Sequence, residues 1–336
     1  MIRPAPRGVW TALGSVLCVY PIGVVLLALA NAVLAPQAGV LALAGVFLPH
    51  LCLAAVALVP AAVLIRHHVF RVSLLLLALV TLVRFGPEWI SLPPAADDRD
   101  VLTVATWNPL SGGTDPGRVV SEVLATDAQI VALQELTPAV ADALAGDALI
   151  AGRFPHRVLA PEASVLGMGL LSAYPINGEE LLTELPGMEV RIDLGPHGSL
   201  AVINAHPLPG AIGAIGGLPV SFDGTARDAS TAAVRDRIDA LLADGRRVLV
   251  LGDYNVTPTE PGYGRLTAGL SDAHAEVGNG TGWTWRLQRL AGTSIALLRI
   301  DYVLTSPELD PLETETRCAV PSDHCILIAR IALPGD

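Results

Sequence analysis

Residues Val248–Asn255 read VLVLGDYN. A continuous apolar run of this length is the pattern of a strand buried on both faces. It is followed by a glycine and then by an acid and an amide one residue apart. If strand geometry persists past Gly252, Asp253 and Asn255 point the same way. The same letters suit an Asx turn that closes the strand, and both descriptions can hold at once.

The pattern recurs along the chain. Val101–Thr106 runs into Trp107-Asn108, Ile130–Leu133 into Gln134-Glu135, and Leu200–Asn204 into Ala205-His206-Pro207. Met168–Ser172 ends just before Tyr174-Pro175, Arg299–Leu304 carries Asp301 near its start, and Cys325–Ile331 follows Ser322-Asp323-His324. Polar residues at the ends of apolar strands are how a rigid scaffold presents a site. Two helices are expected between the strands, Gly117–Thr126 and Ala226–Ala243; in the second, Ala233, Val234, Ile238, Leu241 and Leu242 line one face. Pro207–Val220 reads as a long loop whose segment Ala211–Val220 (AIGAIGGLPV) is apolar and suits a lid or a lipid-facing element. The fold class expected is α/β, with two packed β-sheets flanked by helices.

The first third is a different material. Met1–Ala95 holds five Arg and one acid, Glu88, whereas Ala96–Asp336 holds sixteen Arg against thirty-one acids, a formal charge of −15. Trp10–Leu34 and Val40–Ile65 are uncharged and exceed the roughly 20 residues needed to cross a hydrocarbon core. Val72–Ile90 is a third candidate, carrying Arg84 and Glu88, which at a spacing of four can pair on one helix face. The sequence thus predicts a three-span membrane anchor over residues 1–92, a polar linker over 93–100 and a catalytic domain over 101–336. Arg3, Arg7, Arg66 and Arg71 put the N-terminus and the second connection in the cytoplasm by the positive-inside rule, so three crossings place the catalytic domain outside. Without the third crossing it would be cytoplasmic.

Charge narrows the partners. Duplex nucleic acid is bound largely through Lys and Arg, and the acidic part, which lacks lysine altogether, has no such general attraction. Nucleic acid is therefore disfavoured, and a membrane-proximal partner such as a lipid is favoured. The absence of lysine fits a GC-rich genome. Cys18 and Cys52 read as small core residues. Cys318 and Cys325 can bridge in an oxidising compartment, with free thiols the expectation.

Taken in order, Trp107-Asn108, Gln134-Glu135, Gly169–Ser172 with Pro175, Asn204-Ala205-His206, Gly252–Asn255, Arg299–Tyr302 and Ser322-Asp323-His324 resemble the endonuclease/exonuclease/phosphatase (DNase I-like) superfamily over about Val101–Leu333. The resemblance implies a four-layer α/β sandwich and a metal-dependent phosphoester hydrolase using Mg²⁺ or Mn²⁺. It implies that Glu135 is the principal metal carboxylate, that Asn108 contacts metal or phosphate, and that Asp323 points toward the metal. Asp253 would orient or deprotonate the attacking water, Asn255 would donate to the phosphoryl oxygens, and His206 would contact the phosphate or the leaving group. Asp301 would pair with His324, fixing its tautomer and raising its pKa. Such chemistry needs these residue types, because a phosphoester anion repels a nucleophile unless the site supplies positive charge and an activated water. Arg299 has two readings, support of Asp301 or the phosphate and a plain structural ion pair; Trp283 and Trp285 read as core. The alternatives to a phosphodiesterase are a nuclease acting on extracellular nucleic acid and a catalytically silent binding module, although the module lacks the expected loss of Glu135, Asp253 or His324.

Overall fold

A computed structural model describes residues 7–91, 99–182, 185–288 and 294–335. The predicted linker, apart from Arg99 and Asp100, and Arg3 lie outside the described residues. The chain divides into two compact units. One comprises Met1–Pro87 with Ala211–Thr225 and Thr259–Pro261; the other comprises Glu88–Gly210, Ala226–Pro258 and Gly262–Asp336.

In the first unit, Gly8–Leu34 (27 residues) is long and apolar enough to cross a membrane, as is His68–Trp89 (22 residues), whose last two residues belong to the second unit. The three continuous spans expected are therefore corrected to two. The middle one is broken into Gly39–Val46 and Leu48–Leu64, bent by 60°. Phe47 leaves helical geometry (φ −94°, ψ 9°), Pro49 starts the next helical segment, and a 3₁₀ turn at Ala55–Leu58 precedes Pro60. Each proline removes a helical donor, so helix continuity is weakest there.

The expected loop at Pro207–Val220 is a β-hairpin from Ala211 onward. Ala211–Ile215 pairs antiparallel with Leu218–Asp223 around Gly216-Gly217, both at positive φ (58° and 81°). That conformation suits a two-residue hairpin turn that glycine enters without steric cost. The hairpin also pairs with the connection between the first helices: Asp223 bridges to Ala38, Phe222 to Gly39, and Gly224 N–H donates to the Gln37 carbonyl at 2.9 Å.

The second unit contains two mixed six-stranded sheets. One runs Asp310–Arg317, Ile326–Ala332, Val101–Trp107, Ile130–Gln134, Met168–Ser172, His156–Ala160; the other runs Ser271–Asp272, Asp301–Thr305, Arg247–Asp253, Ser199–Ala205, Gly187–Asp193, Ile176–Leu181. Leu102, Val104, Ile130 and Leu170 from the first sheet meet Val190, Val202, Leu249 and Leu251 from the second in a core with no solvent contact. The outer face of the first sheet packs under Pro116–Leu124, Pro138–Gly146 and Ala148–Arg153, through Val119, Val123, Leu144 and Ile150. On the outer face of the second sheet, Thr225–Ala243 buries Val234, Ile238 and Leu241. The four layers are those expected, and burial on both faces explains why the central strands are continuously apolar.

Candidate active site

Strand register brings the polar ends together. Val101–Trp107 and Ile130–Gln134 run parallel with Trp107 opposite Leu133, so Asn108 and Glu135 emerge side by side. In the other sheet Gly252 lies opposite Ala205 in a parallel pair, so Asp253 emerges beside His206. A Cβ at Gly252 (φ +144°) would lie 2.0 Å from the Ala205 carbonyl oxygen, so only glycine allows this approach. Antiparallel pairing places Asp253 directly opposite Asp301. Two carboxylates in that relation repel, and His324 intervenes.

The links are short. Asn108 Nδ2 donates to Glu135 Oε1 at 2.9 Å and to Asp253 Oδ2 at 3.2 Å, while its Oδ1 accepts from Leu110 N–H at 2.9 Å. Because a backbone N–H can only donate, the Leu110 contact fixes which end of the amide faces the carboxylates. Glu135 Oε2 accepts from Ser111 N–H at 2.8 Å. His206 Nε2 lies 3.4 Å from Asp253 Oδ2 and 3.9 Å from Glu135 Oε1. His324 Nε2 lies 3.5 Å from the same Asp253 oxygen, and its Nδ1 lies 3.0 Å from Asp301 Oδ2. Glu135 and Asn255 both adopt positive φ (50° and 52°). Non-glycine residues held there are strained and cluster at functional sites.

Charge is distributed accordingly. Burial opposes a charged His324, but Asp301 and Asp253 on either side push its pKa up to about 10. Burial likewise opposes protonation of His206, and Asp253 with Glu135 outweighs it, leaving the pKa above the usual histidine value. For Asp253, burial favours the neutral acid, yet His324, His206 and Asn108 hold it below the usual carboxylate range. Burial dominates at Asp301 and raises it. The ligand atoms of Asp253, Asp301 and His324 lie within 4.8 Å of one another. This compact trio sets one imidazole between two carboxylates, each within 3.5 Å of a ring nitrogen.

Asn108, Glu135, His206, Asp253, Asp301 and His324 thus converge. Asn255 sits at the rim: its N–H donates to Asp253 Oδ1 at 3.0 Å, confirming the Asx turn, and its Nδ2 donates to the Pro207 carbonyl at 3.0 Å. Asp323 makes no hydrogen bond to that group. Its Oδ2 accepts from Trp285 Nε1 at 3.3 Å, and its buried Oδ1 has no partner among the described residues.

Several supporting residues were not assigned roles from the sequence. Gln134 Nε2 donates to Asn204 Oδ1 at 2.7 Å and to Thr106 Oγ1 at 3.0 Å, while Asn204 Nδ2 donates to the Leu133 and Gly169 carbonyls. This fully buried seam joins the two sheets one residue from Glu135 and two from His206. Thr284 Oγ1 accepts from the N–H groups of Ile300 and Asp301, fixing the start of that strand. Ser322 Oγ donates to the Asn108 carbonyl at 2.7 Å and accepts from His324 N–H. Small polar residues inside apolar runs were the available signal at Gln134 and Asn204. Thr284 carried none.

Arg299 proves to be a structural ion pair. It is buried, donates to Asp272 and to Glu88 through Nη1 and Nη2, and stacks over Tyr263 and Tyr302. Cys318 and Cys325 form a disulfide, correcting the expectation of free thiols. The strand ending at Arg317 and the one starting at Ile326 are antiparallel neighbours, which brings the two cysteines to a Cα separation of 4.3 Å.

A family profile described as "Endonuclease/Exonuclease/phosphatase family" matches residues 105–324. No curated protein matches the chain. Among solved structures, an endonuclease/exonuclease/phosphatase from Beutenbergia cavernae is 20% identical, with a TM-score of 0.52 over 70% of this chain and 72% of that one. D. rerio TDP2 complexed with single-strand DNA product is 16% identical, with a TM-score of 0.54 over 69% and 98%. The 3′ phosphatase NExo from Neisseria, bound to a product DNA hairpin, is 19% identical, with a TM-score of 0.52 over 68% and 98%. At these identities the likeness establishes the fold.

Proposed function

Because the chain belongs to the endonuclease/exonuclease/phosphatase family over residues 105–324, we propose that it is a membrane-anchored, divalent-metal-dependent phosphodiester hydrolase acting by in-line attack of water. We assign the anchor to residues 1–92 and the catalytic domain to residues 101–336; the hairpin segment Ala211–Thr225 clusters with Met1–Pro87. One observation carries the reading: Asn108 holds the carboxylates of Glu135 and Asp253 together, while two raised-pKa imidazoles converge on Asp253.

The donor set fits a hard cation. Glu135 supplies carboxylate oxygens, Asp323 Oδ1 is a buried acceptor with no partner among the described residues, and Asn108, whose Oδ1 accepts from Leu110 N–H, would join through that oxygen by turning its amide. Mg²⁺ or Mn²⁺ bound there, with Glu135 as principal ligand and Asn108 and Asp323 beside it, would neutralise phosphoryl charge and lower the pKa of water. The protein's own groups do the rest. Asp253, held low, orients the attacking water and raises the pKa of both rings. His324, protonated through Asp301, donates from Nε2 to a phosphoryl oxygen as charge builds there. His206 donates from Nε2 toward the phosphate or the leaving oxygen. Asn255 has one amide hydrogen left for the phosphoryl group once Pro207 is satisfied.

Extracytoplasmic placement requires the bent pair Gly39–Val46 and Leu48–Leu64 to cross as one span, which makes three crossings, and two features support it. A disulfide suits an oxidising compartment. The hairpin pairs with the Gln37–Gly39 connection, which the positive-inside rule places opposite the Arg66–Arg71 connection. A nuclease reading draws on the DNA-bound structures of similar fold, but the charge of −15 on Ala96–Asp336 weighs against it.

The test is turnover of bis(p-nitrophenyl) phosphate by the full chain in detergent. We expect activity with Mg²⁺ or Mn²⁺, loss with chelator, and loss in Asp253→Ala. Activity indifferent to both the chelator and the substitution sinks the mechanism.

A further inference from the structure

The hairpin Ala211–Asp223 carries no charged residue before Asp223. Next to its Gly216-Gly217 turn, Ile215 and Leu218 face each other across the strands and are 73% and 72% exposed; Ile212 is 63% and Val220 38% exposed. A water-soluble surface does not ordinarily carry such a patch at the tip of a short two-stranded ribbon. Continuity indicates what covers it. The ribbon's other end is hydrogen-bonded to Ala38 and Gly39, at the connection where the membrane-length helix Gly8–Leu34 ends and the next helix begins. That helix bears its own bare apolar residues, among them Leu26, Leu29, Val33 and Leu34. A helix end of this kind lies at the boundary between acyl chains and headgroups.

Chain length ties this ribbon to the chemistry. Only Pro207–Gly210 separate His206 from Ala211. Five Cα steps span at most about 18 Å, so the Cα of Ala211 lies no farther than that from the Cα of His206. A bilayer entered by the ribbon is thus tethered, through four residues, to the segment that carries His206.

We infer that the Ala211–Asp223 hairpin is inserted into the headgroup–acyl boundary of the bilayer, and that the phosphodiester hydrolysed is that of a membrane glycerophospholipid. The inference rests on the hydrolase reading for its chemical half only. In the reaction the oxygen of water bonds to phosphorus, the phosphorus–oxygen bond to the glycerol breaks, and a proton passes to the departing glycerol oxygen. The products are diacylglycerol, which stays in the bilayer, and a water-soluble phosphomonoester.

The full chain is reconstituted in nanodiscs of phosphatidylcholine and phosphatidylglycerol. Ile215→Trp and Leu218→Trp report depth through quenching by brominated phosphatidylcholine, after subtraction of the wild-type signal. Leu149→Trp, at an exposed position of the catalytic unit, is the reference. We expect at least two-fold stronger quenching at 215 and 218 than at 149; equal quenching overturns insertion. The double variant Ile215→Ser/Leu218→Ser is then compared with wild type on two substrates. Release of water-soluble phosphomonoester from the nanodisc lipid should fall at least ten-fold, while bis(p-nitrophenyl) phosphate turnover is unchanged. Equal loss on both, or no lipid hydrolysis by a wild type active on the soluble diester, overturns the substrate assignment. A wild type inactive on the soluble diester would instead refute the hydrolase reading, and quenching would still decide insertion.

Discussion

His206, just past the strand Ser199–Ala205 of one sheet, and His324, just before the strand Ile326–Ala332 of the other, reach the same oxygen, Oδ2 of Asp253, at 3.4 and 3.5 Å. Each ring owes its raised pKa partly to that carboxylate. Groups that act through one shared partner are not independent. We expect His206→Gln and His324→Gln each to lower kcat by about 10²–10⁴-fold, and the double variant to lose much less than the product of the two. A multiplicative loss, measured on a soluble diester, would show that the rings work separately.

The Gln134–Asn204 seam predicts a stability effect with an activity echo. Asn204→Ala removes one of the two acceptors of the Gln134 amide, leaving Thr106, and takes the side-chain donor from the Leu133 and Gly169 carbonyls. A buried polar group without its partner costs about 1–3 kcal/mol. A lowered thermal midpoint should appear with folded far-UV dichroism retained. An unchanged midpoint would mean that water replaces the amide fully.

Asp272 and Arg299 give a pH signature. Burial alone would raise the Asp272 pKa, but Arg299 and Tyr263 hold it below the usual carboxylate range. A depressed native pKa contributes stability that is present above the unfolded value, near pH 4, and is lost as pH falls through the lower native one. Asp272→Asn should destabilise the protein by about 3–5 kcal/mol at neutral pH, because a buried guanidinium loses its main counter-charge. The gap between wild type and variant should narrow in acid. A gap constant down to pH 2, read by denaturant titration, would refute the pairing.

The Cys318–Cys325 bridge closes a loop of eight residues that contains Ser322, Asp323 and His324. Loop-closure entropy for such a ring is worth about 2–3 kcal/mol. Cys318→Ser with Cys325→Ser should lower the thermal midpoint by that equivalent, and a thiol-labelling assay on denatured wild type should find two reactive cysteines, Cys18 and Cys52. Four would contradict the bridge.

Strand ends were readable because acids, amides and imidazoles behind apolar runs stand out by composition. VLVLGDYN and VLTVATWN each announced a strand and the residue that it delivers. What the runs could not report is register. Nothing in the letters says that Asp253 faces Asp301, or that Asn108 turns its oxygen to Leu110 N–H and its amide hydrogens to two acids. Gly187–Asp193 and Asp310–Arg317 were missed as strands because charges interrupt them, Arg191 and Glu189 in one and three acids in the other. The hairpin at Ala211–Asp223 was read as loop although Gly216-Gly217 between apolar flanks is a turn signal. The bend at Phe47 escaped because hydropathy is blind to two prolines in otherwise lipid-compatible sequence.

Gly252 bears on how diverged copies of this enzyme can be sorted. Any Cβ there would collide with the Ala205 carbonyl and push apart the strands that deliver His206 and Asp253. A descendant could keep every acid and imidazole and still be dead through one added methyl group. In a survey of genomes, that single hydrogen-for-methyl position would separate working copies from decayed ones where a checklist of reactive side chains would pass both.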